Sequence, residues 1–195
     1  MRIHAPSWTP RAEIERYVRE QHGWLTRAWQ RMQMRAPERD AEGQICYLGR
    51  PLALDIRPSL FGEVQRVGAT LRVYLPAGQD ADVLLREWLS ERAARVLAWR
   101  LARLARRLGR SPSRFALSDA RTQWGSCTRS GHIRLNWRLV QAPLALVDYV
   151  AAHELAHLVH LDHSPRFWQQ VAQLCPDALV RRAELRRLGA ALFRL

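Results

Sequence analysis

The chain has 195 residues, 48% of them hydrophobic, which is enough for a folded domain with a substantial core and excludes a disordered protein. No stretch approaches the roughly eighteen consecutive apolar residues of a membrane helix, so no membrane partner is expected. The net charge of +13 raises nucleic acid as a partner, but all 31 basic residues are arginine and they are spread along the chain, which favours a bias in genomic base composition.

The N-terminus and the cysteines indicate a compartment. The N-terminal segment has no apolar run of the kind that a signal peptide carries. Cys46, Cys127 and Cys175 are far apart, odd in number and form no CxxC pair. We therefore expect a cytoplasmic protein. A nonspecific affinity of its arginine-rich surface for nucleic acid stays open.

The first predicted elements are a helix and three strands. An arginine-rich helix is predicted over residues 10–35, as part of an N-terminal helical extension over residues 1–40. After a polar break, ICYLGRPLALDI predicts two short strands around Gly49-Arg50. The segment ATLRVYLP then predicts a strand in which Leu71, Val73 and Leu75 alternate with polar residues, and Pro76 and Gly78 end it.

A long helix is predicted from about Asp82 to Leu108. Leucines at positions 97, 101, 104 and 108 form one apolar stripe, and arginines at 95, 103 and 106 lie on the far side. We interpret that arginine face as solvated rather than as a groove for nucleic acid. Further along, HIRLNWRLV alternates strictly through Leu139, which predicts a half-buried strand in a hairpin with the segment before the turn TRSG.

The segment HELAHLVHLDHS, from His153 to Ser164, carries the chemistry. On a helix that Pro143 helps to start, His153 and His157 lie one turn apart on one face, so both imidazoles can bind one ion. Neutral imidazoles suit zinc, and Glu154 is placed to take a proton from a water molecule that the metal activates.

A third ligand is needed, and the sequence offers alternatives. His160 lies about 10 Å along the helix axis from His153 if the helix continues, which is too far to share an ion. His163 lies at a corner, because Asp162 tolerates a left-handed backbone and Ser164-Pro165 is a strong start for a new helix. We predict His163 as the ligand, with His160 and Glu184 as alternatives. Cys127 is either a fourth ligand, which would make the site structural, or a small buried residue.

These residues resemble a known family. QWGSC, then GHIRLNWRL, then DYVAAHELAHL, HLDHSPRFW and CPD resemble the YgjP-like metallopeptidases, which are related to the SprT-like zinc proteases. The resemblance is clear from about Arg121 to Asp177 and weaker back to YLGRPLALDI. It implies zinc, one ion per chain, held by His153, His157 and His163, with Glu154 as catalytic acid and base.

The resemblance also implies an α+β, zincin-like fold, with a small, mostly antiparallel sheet packed on helices around a central HExxH helix. We expect a single YgjP-like domain over residues 1–195, with its core motifs in 110–178. Two positions depart from the family pattern. Gln123 stands where arginine is common, so Arg121 could take over a contact to substrate, and Asp162 stands where asparagine is common. Asn136 and Arg138 are further candidates for substrate contact, or else they face solvent.

The leading functional hypothesis is a zinc-dependent peptidase acting on polypeptides through water and a glutamate base. One alternative is a nucleoside triphosphate pyrophosphohydrolase, with UTP as an example substrate, although three imidazoles favour zinc over magnesium. Another is a DNA-associated, SprT-like protease, which predicts activity that rises with DNA. The last is a non-enzymatic zinc module closed by Cys127.

Overall fold

The structure, a computed structural model, describes residues 10–13, 15, 16, 19, 20 and 45–192. From residue 11, the described residues of the predicted N-terminal helix are helical, and the rest of that prediction lies outside the described residues. The chain divides into two compact units. The first contains Leu52–Arg86, and the second contains Ile45–Pro51 and everything from Glu87 onward. The prediction of one domain over the whole chain stays a prediction.

The first unit is built on a mixed sheet. After β1 (Ile45–Tyr47), the chain forms β2 (Arg50–Pro58), β3 (Glu63–Val67) and β4 (Thr70–Leu75). Strand β4 lies between β2, to which it is parallel, and β3, to which it is antiparallel. Parallel pairing is possible because β3 and its turns separate β2 from β4 along the chain, so β4 can insert between the two earlier strands.

The strands of this unit were only partly predicted. The alternation in β4 is confirmed for Leu71 and Val73, which are fully buried. Strand β3 was missed because EVQRV is short and polar, as edge strands often are. A two-residue turn joins β3 to β4, and Gly68 adopts a left-handed φ of 62° there, which glycine allows at little cost.

Helix α1 (Ala81–Leu108) crosses from the first unit into the second at residue 87. Its predicted apolar stripe is confirmed, since Leu97, Leu101 and Leu104 are buried. Arg106 and Arg107 occupy its last turn, where positive charge interacts favourably with the helix dipole. The helix contributes one apolar face to the core of the second unit.

The second unit holds another mixed sheet, formed by β5 (Arg114–Ser118), β6 (Gly125–Cys127) and β7 (His132–Asn136). The predicted hairpin is confirmed, because β6 and β7 pair in antiparallel fashion across the turn at residues 128–131. Strand β5 pairs in parallel with the other edge of β7. The prediction of a mostly antiparallel sheet is therefore wrong, because the connection from β5 leads past β7 to its far side.

Strand β7 is shorter than the sequence pattern predicts. It ends at Asn136, and residues Trp137–Gln141 form the short 3-10 helix η1. The Asn136 side chain accepts a hydrogen bond from the Arg138 backbone N–H and so caps the first turn of η1. Alternation between polar and apolar residues continues through η1, and this is why the sequence pattern overextends the strand.

Three helices complete the second unit: α2 (Leu144–Ala156), α3 (Pro165–Leu174) and α4 (Ala178–Leu192). Helix α2 is packed against α3, α4, β6, β7 and η1. Its aspartate, Asp148, pairs with Arg100, and with Arg103 at 3.0 Å, which ties α2 to the second-unit part of α1. Across residues 45–192 and the few described residues before them, no helix has the length and apolarity that a membrane crossing requires.

Candidate metal centre

The end of α2 folds back on itself. The helix stops at Ala156, and the His160 N–H donates to the Ala156 carbonyl at 2.9 Å in the turn that follows. Ser164 then occupies the N-cap position of α3, without a side-chain hydrogen bond to the helix, and Pro165 lies in the first turn, at the positions that the sequence predicts. The corner between the helices carries His163 back toward the polar positions of α2.

Three imidazoles meet at this corner. The candidate ligand atoms of His153, His157 and His163 all lie within 4.8 Å of one another. The Nε2 atoms of His153 and His163 are 3.3 Å apart, and the His157 and His163 ring centres are 4.9 Å apart. Within the described part of the chain, this is the one cluster of His, Cys, Asp or Glu that could hold a metal ion.

Two aromatic side chains of α3 support the histidines. Phe167 is fully buried, and its ring centre lies 4.9, 4.6 and 4.7 Å from those of His153, His157 and His163 respectively. Trp168 lies 5.7 Å from His153 and 6.2 Å from His163. Because the rings pack on fixed aromatic neighbours, their orientations are set before any ion binds. Neither residue was predicted from the sequence, although PRFW directly after the last histidine was a usable signal.

Hydrogen bonding fixes the tautomer of His157. Its Nδ1 lies 3.1 Å from the His160 carbonyl oxygen, which can only accept, so Nδ1 carries the proton and Nε2 is left with a free lone pair. The backbone carbonyl of His160 thus orients the His157 ring, whereas the His160 imidazole lies outside the cluster. The Nδ1 atom of His153 is buried without a hydrogen-bond partner.

The environment keeps His153 neutral. Its pKa is lowered to about 4, first by burial and then by the charges of His157, His163 and Arg182. The pKa of His157 is also lowered, again mainly by burial. A neutral imidazole is the form that binds a metal ion, so His153 and His157 can act as ligands at neutral pH without first losing a proton.

Glu154 is buried next to this cluster, with 5% of its surface exposed. Burial raises its pKa to about 8. Its carboxyl group lies directly against the backbone of Gly125 in β6, where an added Cβ would come within 2.6 Å of Oε1. The glycine of QWGSC therefore makes room for the glutamate. This role of the glycine was not predicted from the sequence.

The other candidate ligands lie elsewhere. Cys127 is outside the histidine cluster, and burial raises the pKa of its thiol to about 11, with a smaller contribution from Glu154. Its Sγ lies 3.5 Å from the Thr128 carbonyl oxygen. Glu184 accepts a hydrogen bond from Arg181 at 3.1 Å and is also outside the cluster. The geometry thus favours His163 over the alternatives that the sequence left open.

The candidate substrate residues are placed differently from one another. Arg121 is exposed in the connection between β5 and β6. Asn136 is fully buried, and its amide donates to the carbonyls of Ala120 and Gln123 at 2.6 and 3.2 Å. The Asn136 side chain therefore holds this connection in place and does not face solvent.

Arg138 is also buried, with 1% of its surface exposed. Its guanidinium donates to Asp119 at 2.5 Å and lies 4.4 Å from the centre of the Trp137 ring. Solvent exposure of Asn136 and Arg138 is therefore wrong, and their contact with substrate stays a prediction. Alternation along the strand predicted a polar face, and Arg134 on it is exposed, but Asn136 and Arg138 form hydrogen bonds to the β5–β6 connection.

Comparison with known proteins identifies the family. The sequence profile described as YgjP-like, metallopeptidase domain, matches residues 1–188, nearly the whole chain. The chain belongs to the YgjP-like metallopeptidase family. No curated protein and no solved structure gives a significant match. Membership implies a metal, and the three clustered histidines are the residues that could hold it.

We predict a pH dependence of stability in the metal-free protein that comes from Glu154. Because the pKa of Glu154 is raised, the folded state binds its proton more tightly than the unfolded state does. The resulting stabilisation of the folded state is complete below pH 4.5, the ordinary pKa, and is lost as the pH rises to about 8. The contribution of neutral His153 has the opposite sign and is lost as the pH falls from 6.5 to about 4. Of these two groups, Glu154 is the one whose contribution changes between pH 6.5 and 8.

The measurement is denaturant unfolding of metal-free wild type and Glu154→Gln at pH 6.5 and 8. The free energy of unfolding of the wild type should fall by about 2 kcal/mol relative to the variant, at no more than about 1.4 kcal/mol per pH unit. Parallel profiles of the two proteins would contradict a buried, proton-binding Glu154.

A second prediction concerns the contact between Gly125 and Glu154. Gly125→Ala places a methyl group against the carboxylate, and the resulting shift should lower the free energy of unfolding by about 1–3 kcal/mol. In a Glu154→Ala background the obstructing side chain is absent, so the same substitution should cost much less. A double-mutant cycle measures the difference. Additive costs would show that the two residues are not in contact.

Proposed function

We propose that the protein is a zinc metallopeptidase of the HExxH-x5-H type, with His153, His157 and His163 as ligands and Glu154 as general base. One observation carries this proposal: three imidazoles from a helix and the following corner converge, with a buried glutamate adjacent in sequence to the first of them. Membership of a metallopeptidase family supports the same reaction class.

The donor set fits zinc. Two imidazole nitrogens that bind one zinc ion at about 2.0–2.1 Å in a tetrahedral site lie about 3.3–3.4 Å apart. The Nε2 atoms of His153 and His163 are 3.3 Å apart. Three imidazoles favour zinc over magnesium, which prefers oxygen ligands. The separation of Cys127 from the cluster supports an open fourth position, as in catalytic rather than structural zinc sites.

Glu154 has the properties of a residue that moves protons. When bound, zinc supplies a Lewis acid that polarises a peptide carbonyl and lowers the pKa of water. Glu154 then takes the proton from the attacking water and delivers it to the leaving amine. Burial raises the pKa of this carboxyl to about 8 in the metal-free site, which supports a role in holding a proton. The packing against Gly125 restricts where that carboxyl can lie.

We propose a polypeptide as substrate, in agreement with the family. Hydrolysis of nucleoside triphosphates and a DNA-associated activity stay predictions, and no contact among the described residues favours either one. The proposed cytoplasmic location rests on the sequence alone. Arg121 is the one candidate substrate residue from the sequence analysis that remains exposed, and we keep it as a proposed contact.

The test is cleavage of an unfolded protein by the zinc-loaded enzyme, with fragments identified by mass spectrometry. Glu154→Gln should lower the rate by about two to four orders of magnitude while zinc stays bound, because the base is lost and the ligands are not. Glu184→Gln is the matched control and should cleave at the wild-type rate, since Glu184 pairs with Arg181 outside the cluster.

Two results would contradict the proposal. One is cleavage by Glu154→Gln at the wild-type rate. The other is a wild-type enzyme that leaves unfolded protein intact but releases pyrophosphate from a nucleoside triphosphate in the same buffer.

A further inference from the structure

Arg182 of α4 is a cation at the edge of the histidine cluster. Its guanidinium carbon lies 5.0 Å from the centre of the Trp168 ring, and that ring packs beside His153 and His163. The side chain is half-buried. Its charge acts on His153, and also on Tyr149 one turn earlier in α2, whose ring centre lies 6.2 Å from that of His153. The charge of Arg186 also acts on Tyr149, but Arg182 is the arginine whose charge acts on His153. The Arg182 guanidinium therefore faces the same region of α2 as the candidate ligands.

This cation has no acidic partner among the described residues. The neighbouring arginine, Arg181, shows the contrast, because it pairs with Asp177 at 2.9 Å and with Glu184 at 3.1 Å. Arg182 makes its contact with an aromatic face instead. Stacking on a ring leaves the N–H groups at the edge of the guanidinium available, and their planar fork matches the two oxygens of a carboxylate.

The position of this charge has a cost in the free protein. A fixed positive charge near the three imidazoles opposes the binding of a metal cation there. An anionic group on the substrate would offset that cost, because it would approach the cluster and the guanidinium together. The arrangement thus suits a ligand that carries a negative charge near the atoms that react.

We propose that Arg182, held against Trp168 beside the histidine cluster, is a specificity-determining residue that binds a carboxylate of the peptide substrate. The carboxylate belongs either to an acidic side chain close to the scissile bond or to the free C-terminus of a short peptide. This inference rests on the proposed peptidase function, and it adds a preference for acidic substrates to it.

The test is a binding measurement that needs no turnover. In the zinc-loaded Glu154→Gln protein, fluorescence anisotropy gives the dissociation constants of labelled peptides that differ only by Glu or Gln at one position, each with a free or an amidated C-terminus. The four proteins compared are this parent and the parent with Arg182→Gln, with Arg182→Lys or with Arg187→Gln. Arg187 is exposed on the same helix, so its loss makes the same change in net charge.

The parent should bind a carboxylate-bearing peptide about 10- to 100-fold more tightly than its uncharged match, as expected for hydrogen bonds between charged groups. Arg182→Gln should remove this preference, Arg187→Gln should keep it, and Arg182→Lys should retain part of it. The arm that shows the preference, side chain or C-terminus, identifies the carboxylate that is bound.

Three results would overturn the inference: equal binding of charged and uncharged peptides by the parent, a preference that survives Arg182→Gln, or an equal loss in Arg187→Gln. Weaker binding of every peptide by Arg182→Gln, with the preference intact, would also overturn it, because the residue would then act on the fold. A wild-type enzyme that cleaves no peptide would reject the proposed function separately, since the binding comparison does not depend on cleavage.

Discussion

The burial of helix α2 is the constraint on which the second unit depends. Nine of its thirteen residues are buried, and α3, α4, η1 and the strands β6 and β7 pack around it. Small residues such as Ala151, Ala152 and Ala156 allow these neighbours to come close. Such a helix cannot turn about its axis without exposing apolar surface, so the directions of the His153, Glu154 and His157 side chains are fixed by packing.

This packing places a polar site where polar groups are costly. Burial favours the neutral forms of Glu154 and His153, and it leaves His153 Nδ1 without a partner. The cost is a reason to expect a functional site, because perturbed titratable groups cluster where chemistry is done. A bound cation would offset part of this cost of burial, because its positive charge would stabilise the Glu154 carboxylate and the ion would be a partner for the neutral imidazoles.

The sequence predicted the clustering of the three histidines better than the architecture. Helical spacing brought His153 and His157 together, and the Ser164-Pro165 start of α3 indicated the corner that returns His163. It could not predict that β7 would insert between β5 and β6, because pairing between strands distant in the chain is decided by tertiary packing. For the same reason the surroundings of Asn136 and Arg138 were not predicted correctly, because their side chains form hydrogen bonds to the loop that covers them. The supports of the site, Phe167 and Gly125, act through contacts that no spacing rule contains.

Metal content is the measurement that tests the central claim most directly. We would determine zinc by mass spectrometry in wild type, His163→Ala and His160→Ala, purified without chelators or a histidine tag. The account predicts one zinc per chain in wild type and in His160→Ala, whose imidazole lies outside the cluster, and its loss in His163→Ala. Zinc retained in His163→Ala but lost in His160→Ala, or a wild type without metal, would contradict the account.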